Sequence, residues 1–400
     1  MARSSAVLRG RRAVQARPHG GLGARLRRDY VARVSRFLVT GATGYLGRHL
    51  VQTLREHGHE IVALIRKNEP DLEGTTRATG DVLDRSSIER ALAGCEAVFH
   101  CAGKVSRKPE DAEDLYKLHV EGTRNVIDAC IAKSVRRIVK ASTSGTIAVS
   151  DDPDFVATEE NDAPIGLLNR WPYYRSKLFA EKLALEKHGS KLANGGTLEI
   201  VCVNPTLLLG PGDLNGSSTE DVRLFLERRI PAIPPGGLSF VDARDAAEGM
   251  RLAMEHGIGG RRYLLGACNL TIKELFARLE RISGVRAPLL SMPSAKARDI
   301  AVAGAGMLER LASRIGVPVA VDPLSLDMAH FYWYLDASLA ENELGWMPRD
   351  PSETLVDTIR DLEERGVVWP DPDKGLLRSG LTSGLSRLRR KAALGDADIS

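Results

Sequence analysis

Cysteine is sparse in this 400-residue chain: Cys95, Cys101, Cys130, Cys202 and Cys268 are scattered without paired spacing and lie mostly within apolar runs. That distribution excludes a disulfide framework and reads as buried free thiols in a reducing compartment. Aromatic residues make up only 5%, and none are interleaved with a basic stripe, which removes the usual signature of a nucleic-acid surface. No apolar stretch approaches the roughly 18 residues of a membrane span; the longest candidate is the weak run from Ala301 to Leu308. Histidine offers no metal set, since His57 and His59 flank Gly58 without a third ligand in sight.

Acidic residues are nearly missing from one segment. Residues 1–36 carry ten of the 56 Lys and Arg but a single acid, Asp29, leaving a body of 46 basic and 51 acidic residues with a net charge of −5. The basic balance therefore belongs to the leader, and a mildly acidic body argues against nucleic acid as a partner. The leader's Arg-rich composition is that of an organellar transit peptide, yet it has no apolar h-region or cleavage signal. A disordered or mis-assigned extension over residues 1–35, with Val31 or Val34 as the true start, is preferred. The expected compartment is the cytoplasm, with organellar targeting as the alternative. After Pro370 the tail, residues 371–400, is Gly/Ser-rich and then basic from Arg387 to Lys391, and reads as disordered.

Between leader and tail, strand-like and helix-like segments alternate. Strands are expected at Phe37 to Thr40, Glu60 to Ile65, Ala97 to Cys101, Ile138 to Ser142 and Leu198 to Val203. Helices are expected up to about Glu56, over Ser86 to Ala93, Asp114 to Ala132 and Tyr173 to Glu186. Such alternation predicts an α/β fold with a doubly wound parallel sheet and ligand at the carboxyl ends of its strands. After Pro205 the rhythm changes to loops and helices. Residues 36–205 with about 238–266 are assigned to a nucleotide-binding domain, and 206–237 with 267–366 to a smaller, mostly helical substrate lobe.

The first predicted strand runs into Thr40-Gly41-Ala42-Thr43-Gly44-Tyr45-Leu46-Gly47 and then into a helix. Glycines there let the backbone turn sharply, approach a pyrophosphate and aim helix N-terminal amides at negative charge. A second motif, Tyr173-Tyr174-Arg175-Ser176-Lys177, follows Pro172 and sets Tyr173 and Lys177 four apart, on one helix face. A neighbouring ammonium favours phenolate, so Tyr173 is expected to exchange its proton more readily near neutrality. About thirty residues upstream, Ser142-Thr143-Ser144 places hydroxyls at the end of a predicted strand.

Cradle, hydroxyl cluster and Tyr/Lys pair together resemble the extended short-chain dehydrogenases over roughly residues 36–366. Within that superfamily the chain is similar to the NAD-dependent epimerase/dehydratase group and its dihydroflavonol-reductase-like members. Supporting stretches are Gly80-Asp81-Val82, Phe99 to Gly103, Val120 to Val126, Asn204-Pro205-Thr206 and Leu344 to Pro348. The resemblance implies that Ser144, with Thr143 as the neighbouring alternative, polarises a carbonyl. It implies that Tyr173 moves the proton, and that Lys177 holds a nicotinamide ribose while lowering the tyrosine pKa. It also implies that Gly41, Thr43, Gly44, Tyr45, Leu46 and Gly47 cradle the cofactor, that Asp81 and Val82 face adenine, and that Ala102, Gly103, Pro205 and Thr206 line the cleft. His119 stands where many relatives place Asn, which puts their proton relay in question.

Nineteen residues past Gly47 the chain has Arg66, whose fork matches a 2′-phosphate. NADP(H) is favoured, with NAD(H) compatible if Arg66 stacks on adenine. The expected activity is hydride transfer between a ketone or aldehyde and an alcohol, with a small molecule as partner and a homodimer allowed. The alternatives are a nucleotide-sugar epimerase or dehydratase with transiently reduced NAD, and a non-catalytic nucleotide-binding partner protein.

Overall fold

Short strands alternate with helices from Arg36 onward, and the central strands are apolar and buried on both faces as a parallel sheet requires. The computed structural model describes residues 34–292 and 323–369. The leader up to residue 33, the run from Ala301 to Leu308 and the tail 371–400 lie outside the described residues.

The strands are β1 (Arg36–Thr40), β2 (Glu60–Ile65), β3 (Thr76–Thr79), β4 (Ala97–His100), β5 (Arg137–Ala141), β6 (Glu199–Pro205) and, after an excursion, β9 (Arg262–Leu265). They form one sheet in the order β3-β2-β1-β4-β5-β6-β9, parallel throughout. The order reverses between β1 and β4, so the crevice at their carboxyl ends is where a dinucleotide is expected. Helices α1 (Tyr45–Glu56), α2 (Arg85–Ala91), α3 (Gly122–Lys133) and α4 (Pro172–Lys187) connect these strands. The apolar core between strands and helices includes Leu38, Val98, Ile127, Ile138 and Ile200.

Beyond β6 the chain builds the smaller lobe. It contains β7 (Leu207–Leu209), α5 (Glu220–Leu226), β8 (Gly237–Asp242), β10 (Cys268–Thr271) and β11 (Tyr332–Trp333), with α7 (Ile272–Ser283) and α9 (Pro351–Glu364). Strand β8 pairs with β7, β10 and β11 in a separate sheet. The return to the large sheet, expected at about 238, therefore comes only after β8, with α6 (Ala243–His256) and β9. Strands of two to six residues carry too little alternation to be read, which is why a lobe expected to be mainly helical also holds a sheet. Leu209, Phe225, Phe240, Phe276 and Leu355 form the lobe's core. One further helix, α8 (Ser338–Leu344), packs on α6 and β9.

Two contacts tie the lobe to the cradle: the Tyr45 hydroxyl donates to the Gly210 carbonyl at 2.9 Å, and His49 Nε2 lies 2.9 Å from the Pro211 carbonyl oxygen.

Candidate active site

The turn between β1 and α1 is shaped by its glycines. Gly41 has φ +68, and a Cβ there would meet the Ala102 backbone nitrogen at 2.6 Å. Gly47 lies against the Gly41 carbonyl oxygen, 2.0 Å from where a Cβ would stand, so no other residue lets α1 start this close to the turn. Helix α1 begins at Gly44 without a side-chain cap and without an acid in its first turn. An uncapped helix N-terminus with no acid in its own first turn fits a pyrophosphate, as the NAD(P) reading requires.

Around the turn, Thr43 presents its carbonyl to Arg48 Nε at 2.8 Å and its hydroxyl to Glu69 at 2.8 Å. Leu46 is half-buried on the first turn of α1, and Tyr45 is engaged with Gly210. Arg66, just past β2, is 69% exposed and ion-paired with Glu69. Asp81 accepts from the Leu83 amide at 2.9 Å, while Val82 is buried beneath it and gives its carbonyl to Asn125. The Ala102 amide donates to Thr40 Oγ1 at 3.3 Å, and Gly103 faces His119. Pro205 ends β6 opposite Leu265, and the Thr206 hydroxyl donates to the Leu265 carbonyl at 3.2 Å.

The hydroxyl cluster sits where β5 ends. Thr143 has extended backbone and opens the turn Ser144–Thr146. Its carbonyl accepts from Thr146 Oγ1 at 2.9 Å and from Asn204 Nδ2 at 3.0 Å, which fixes its orientation. Thr143 is also the member of the cluster whose side chain acts to lower the Tyr173 pKa. Ser144 is buried, and its carbonyl takes the amides of Ile147 and Ala148, closing the turn. Ser144 closes the turn through its carbonyl, and Thr143, the neighbouring alternative, is the hydroxyl that bears on Tyr173. A Ser-Thr-Ser run cannot reveal which member faces the helix, because the turn and not the spacing decides it.

Pro172 occupies the first position of α4, and Tyr173 and Lys177 share one face of that helix, as expected. Lys177 Nζ donates to the Ala141 carbonyl at 3.1 Å. Burial, followed by the charge of Lys140, brings its pKa down to about 7. The expected lowering of the Tyr173 phenol by Lys177 is not found. Burial and then Tyr174 push the phenol above its ordinary value, and only Thr143 acts in the other direction. Tyr173 is therefore protonated at neutral pH.

His119 enters the site through a π-helical turn, Lys117–Glu121, which interrupts the helical segment leading into α3. Its ring is T-shaped to Tyr173 at 5.8 Å. A π-turn leaves no mark in the spacing of apolar residues, so this placement was not readable from sequence.

Sequence reasoning also missed the layer beneath the site. Glu181, 1% exposed, accepts from Ser142, from Thr146 at 3.2 Å and from Asn204 at 2.6 Å, and pairs with Arg262 at 3.1 Å. Across the sheet, registered neighbours Thr40, His100, Lys140, Cys202 and Arg262 make a row through five strands. Its charged members gave the only available signal, since they interrupt otherwise apolar strands. Beside Tyr173 stands an aromatic wall, with Tyr173 and Tyr174 rings 5.0 Å apart and Tyr174 and Trp333 rings 4.9 Å apart.

The chain is similar to several known proteins. A family model described as the NAD dependent epimerase/dehydratase family matches residues 37–266. "Putative dihydroflavonol 4-reductase" of Synechocystis sp. is 33% identical, covering 85% of this chain and 98% of its own length. Sterol demethylase protein B of Methylococcus capsulatus is 31% identical, covering 83% of this chain and 99% of its own. The crystal structure of gox2253 superposes with a TM-score of 0.71 at 28% identity, over 84% of this chain and 100% of that one.

Proposed function

The chain belongs to the NAD-dependent epimerase/dehydratase family and is an NAD(P)-dependent oxidoreductase, and on that premise we propose that it is a carbonyl reductase. It converts a small-molecule ketone or aldehyde to the alcohol with NADP(H) as preferred coenzyme. The observation that carries this reading is the Tyr173 phenol set four residues from Lys177 on a helix that packs against the Ser144–Thr146 turn beside Thr143. Carbonyl reduction needs a proton donor, whereas alcohol oxidation needs a base.

When bound, the coenzyme supplies the hydride that the carbonyl carbon receives. The Gly41–Gly47 turn and the α1 N-terminus hold its pyrophosphate. Arg66 takes the 2′-phosphate, Asp81 and Val82 bound the adenine, and Ala102, Gly103, Pro205 and Thr206 line the nicotinamide side. Lys177 reaches the ribose. Thr143 donates to the substrate carbonyl oxygen, and Tyr173 gives its proton to that oxygen as negative charge develops on it. Tyr174 and Trp333 offer a flat apolar surface beside the reacting carbon, which suits a carbonyl on a hydrophobic skeleton.

NADPH consumption by the purified protein against a panel of ketones and aldehydes tests the reading. Turnover of at least one is expected. It is abolished in Tyr173→Phe, while nucleotide affinity stays nearly intact. Tightly retained NAD with no net consumption would instead point to an epimerase.

A further inference from the structure

Just past β2, the segment Arg66–Asp71 forms a short loop that Arg77 on β3 holds from below. Arg77 donates to the carbonyls of Arg66 at 2.8 Å, Lys67 at 3.3 Å and Glu69 at 2.9 Å, and to the Asp71 carboxylate at 2.6 Å. With its backbone fixed, the loop turns Glu69 back over the cradle. Glu69 Oε2 accepts from the Thr43 hydroxyl at 2.8 Å, and Oε1 accepts from Arg66 Nε at 2.8 Å and from the other arm of the same guanidinium. The carboxylate is only 23% exposed. Burial opposes its ionisation, but the hydrogen bonds from Arg66 and Thr43 outweigh that, and its pKa lies below the ordinary carboxylate value.

A hydroxyl on the cradle and an arginine fork at the end of the second strand are the donors that an adenosine 2′-phosphate would use. Here one side-chain carboxylate already spans both. We propose that Glu69 is an internal anion that sets coenzyme choice. A 2′-phosphorylated adenosine binds by displacing Glu69 from Thr43 and Arg66, whereas an unphosphorylated one binds with Glu69 in place, its free lone pairs turned to the ribose hydroxyls. Two anions cannot share one guanidinium and one hydroxyl without repulsion, so each gain at this position for one coenzyme is a loss for the other. This inference rests on the reading of Arg66 as the 2′-phosphate residue.

Calorimetric binding of 2′,5′-ADP and of 5′-AMP to the full chain tests it without turnover. In Glu69→Gln, affinity for 2′,5′-ADP is expected to rise about tenfold, while that for 5′-AMP stays level or falls. In Arg66→Ala, 2′,5′-ADP is expected to weaken and 5′-AMP to change little. Equal changes for both ligands in Glu69→Gln, or weaker 2′,5′-ADP binding, overturn the role of Glu69. If Arg66→Ala leaves 2′,5′-ADP binding unchanged, the 2′-phosphate reading itself falls, and the Glu69 inference with it. Both side chains lie on a loop gripped through its backbone, so neither variant removes a core contact.

Discussion

The ammonium groups of Lys140 and Lys177 share one acceptor, the Ala141 carbonyl oxygen, at 3.4 Å and 3.1 Å. Lys140 stands on β5 and is only 2% exposed, so two like charges meet in a buried space. Burial disfavours ionisation of both, and Lys140 further disfavours that of Lys177. Lys140 thereby tunes the residue beside Tyr173 without reaching the crevice itself.

Replacing Lys140 by Met removes the like charge while keeping most of the volume. The Lys177 pKa should then move up from about 7 toward its ordinary 10.5. The rate at which Lys177 is acetylated as a function of pH, read residue by residue by mass spectrometry, reports that midpoint. A midpoint that does not move would remove Lys140 from this role.

The same pair makes stability depend on pH. Between about 7 and 10.5 the folded chain binds fewer protons at Lys177 than the unfolded chain, so stability rises with pH through that window. The buried thiols act in the opposite sense. Cys101 and Cys202 are each pushed from 9.0 up to about 12 by burial, so above about pH 9 the unfolded chain loses those protons first and stability falls. Denaturant midpoints should therefore be higher at about pH 8.5 than at about pH 7, then drop at about pH 10. A monotonic fall from pH 7 upward contradicts this account.

Thr143 and Ser144 separate cleanly by mutation. Thr143→Val keeps the shape but removes the hydroxyl that bears on Tyr173, and kcat should drop roughly 10²–10³-fold, as for loss of one oxyanion donor. Ser144→Ala should stay within a few-fold, because Ser144 contributes its carbonyl to the turn. The reverse ranking would restore Ser144 to the site.

Much of this arrangement was legible from the chain alone, because local rules and tertiary structure agree there. The Gly41–Gly47 turn, the strand from Glu60 to Ile65 and the Tyr173/Lys177 face follow from glycine sterics, apolar runs and helical spacing. What stayed hidden depends on contacts far apart in sequence. Tyr45 meets Gly210 across 165 residues, and Glu181 gathers Ser142, Asn204 and Arg262 from three strand ends. The 14-residue helix α6 went unrecognised, although Ala, Gly and Met recur along its buried face. The local geometry at Thr143 is the same lesson at the scale of one residue: Asn204 and Thr146 clamp its carbonyl, and no spacing announces that.

His119 occupies a position where an imidazole invites a catalytic assignment, yet its hydrogen bonds argue for a positioning role. The Lys104 amide donates to Nε2 at 3.2 Å, which makes that nitrogen the acceptor and leaves the proton on Nδ1. Nδ1 then donates to Ser176 Oγ at 2.8 Å, and the Ser176 hydroxyl donates a hydrogen bond to the Tyr173 carbonyl at 2.7 Å. Burial, reinforced by Lys177, lowers the imidazole pKa to about 2, so the ring is neutral at any practical assay pH. The pH profile of kcat/KM should consequently carry no limb that belongs to His119, and a limb near 7 belongs to Lys177. His119→Asn, which retains a donor for Ser176, should keep kcat within a few-fold and leave that profile unchanged. His119→Leu leaves the Lys104 amide and Ser176 short of partners and should cost about 1–3 kcal/mol of stability by denaturant titration. An acidic limb near 6.5 that vanishes in His119→Asn would instead make His119 a proton carrier.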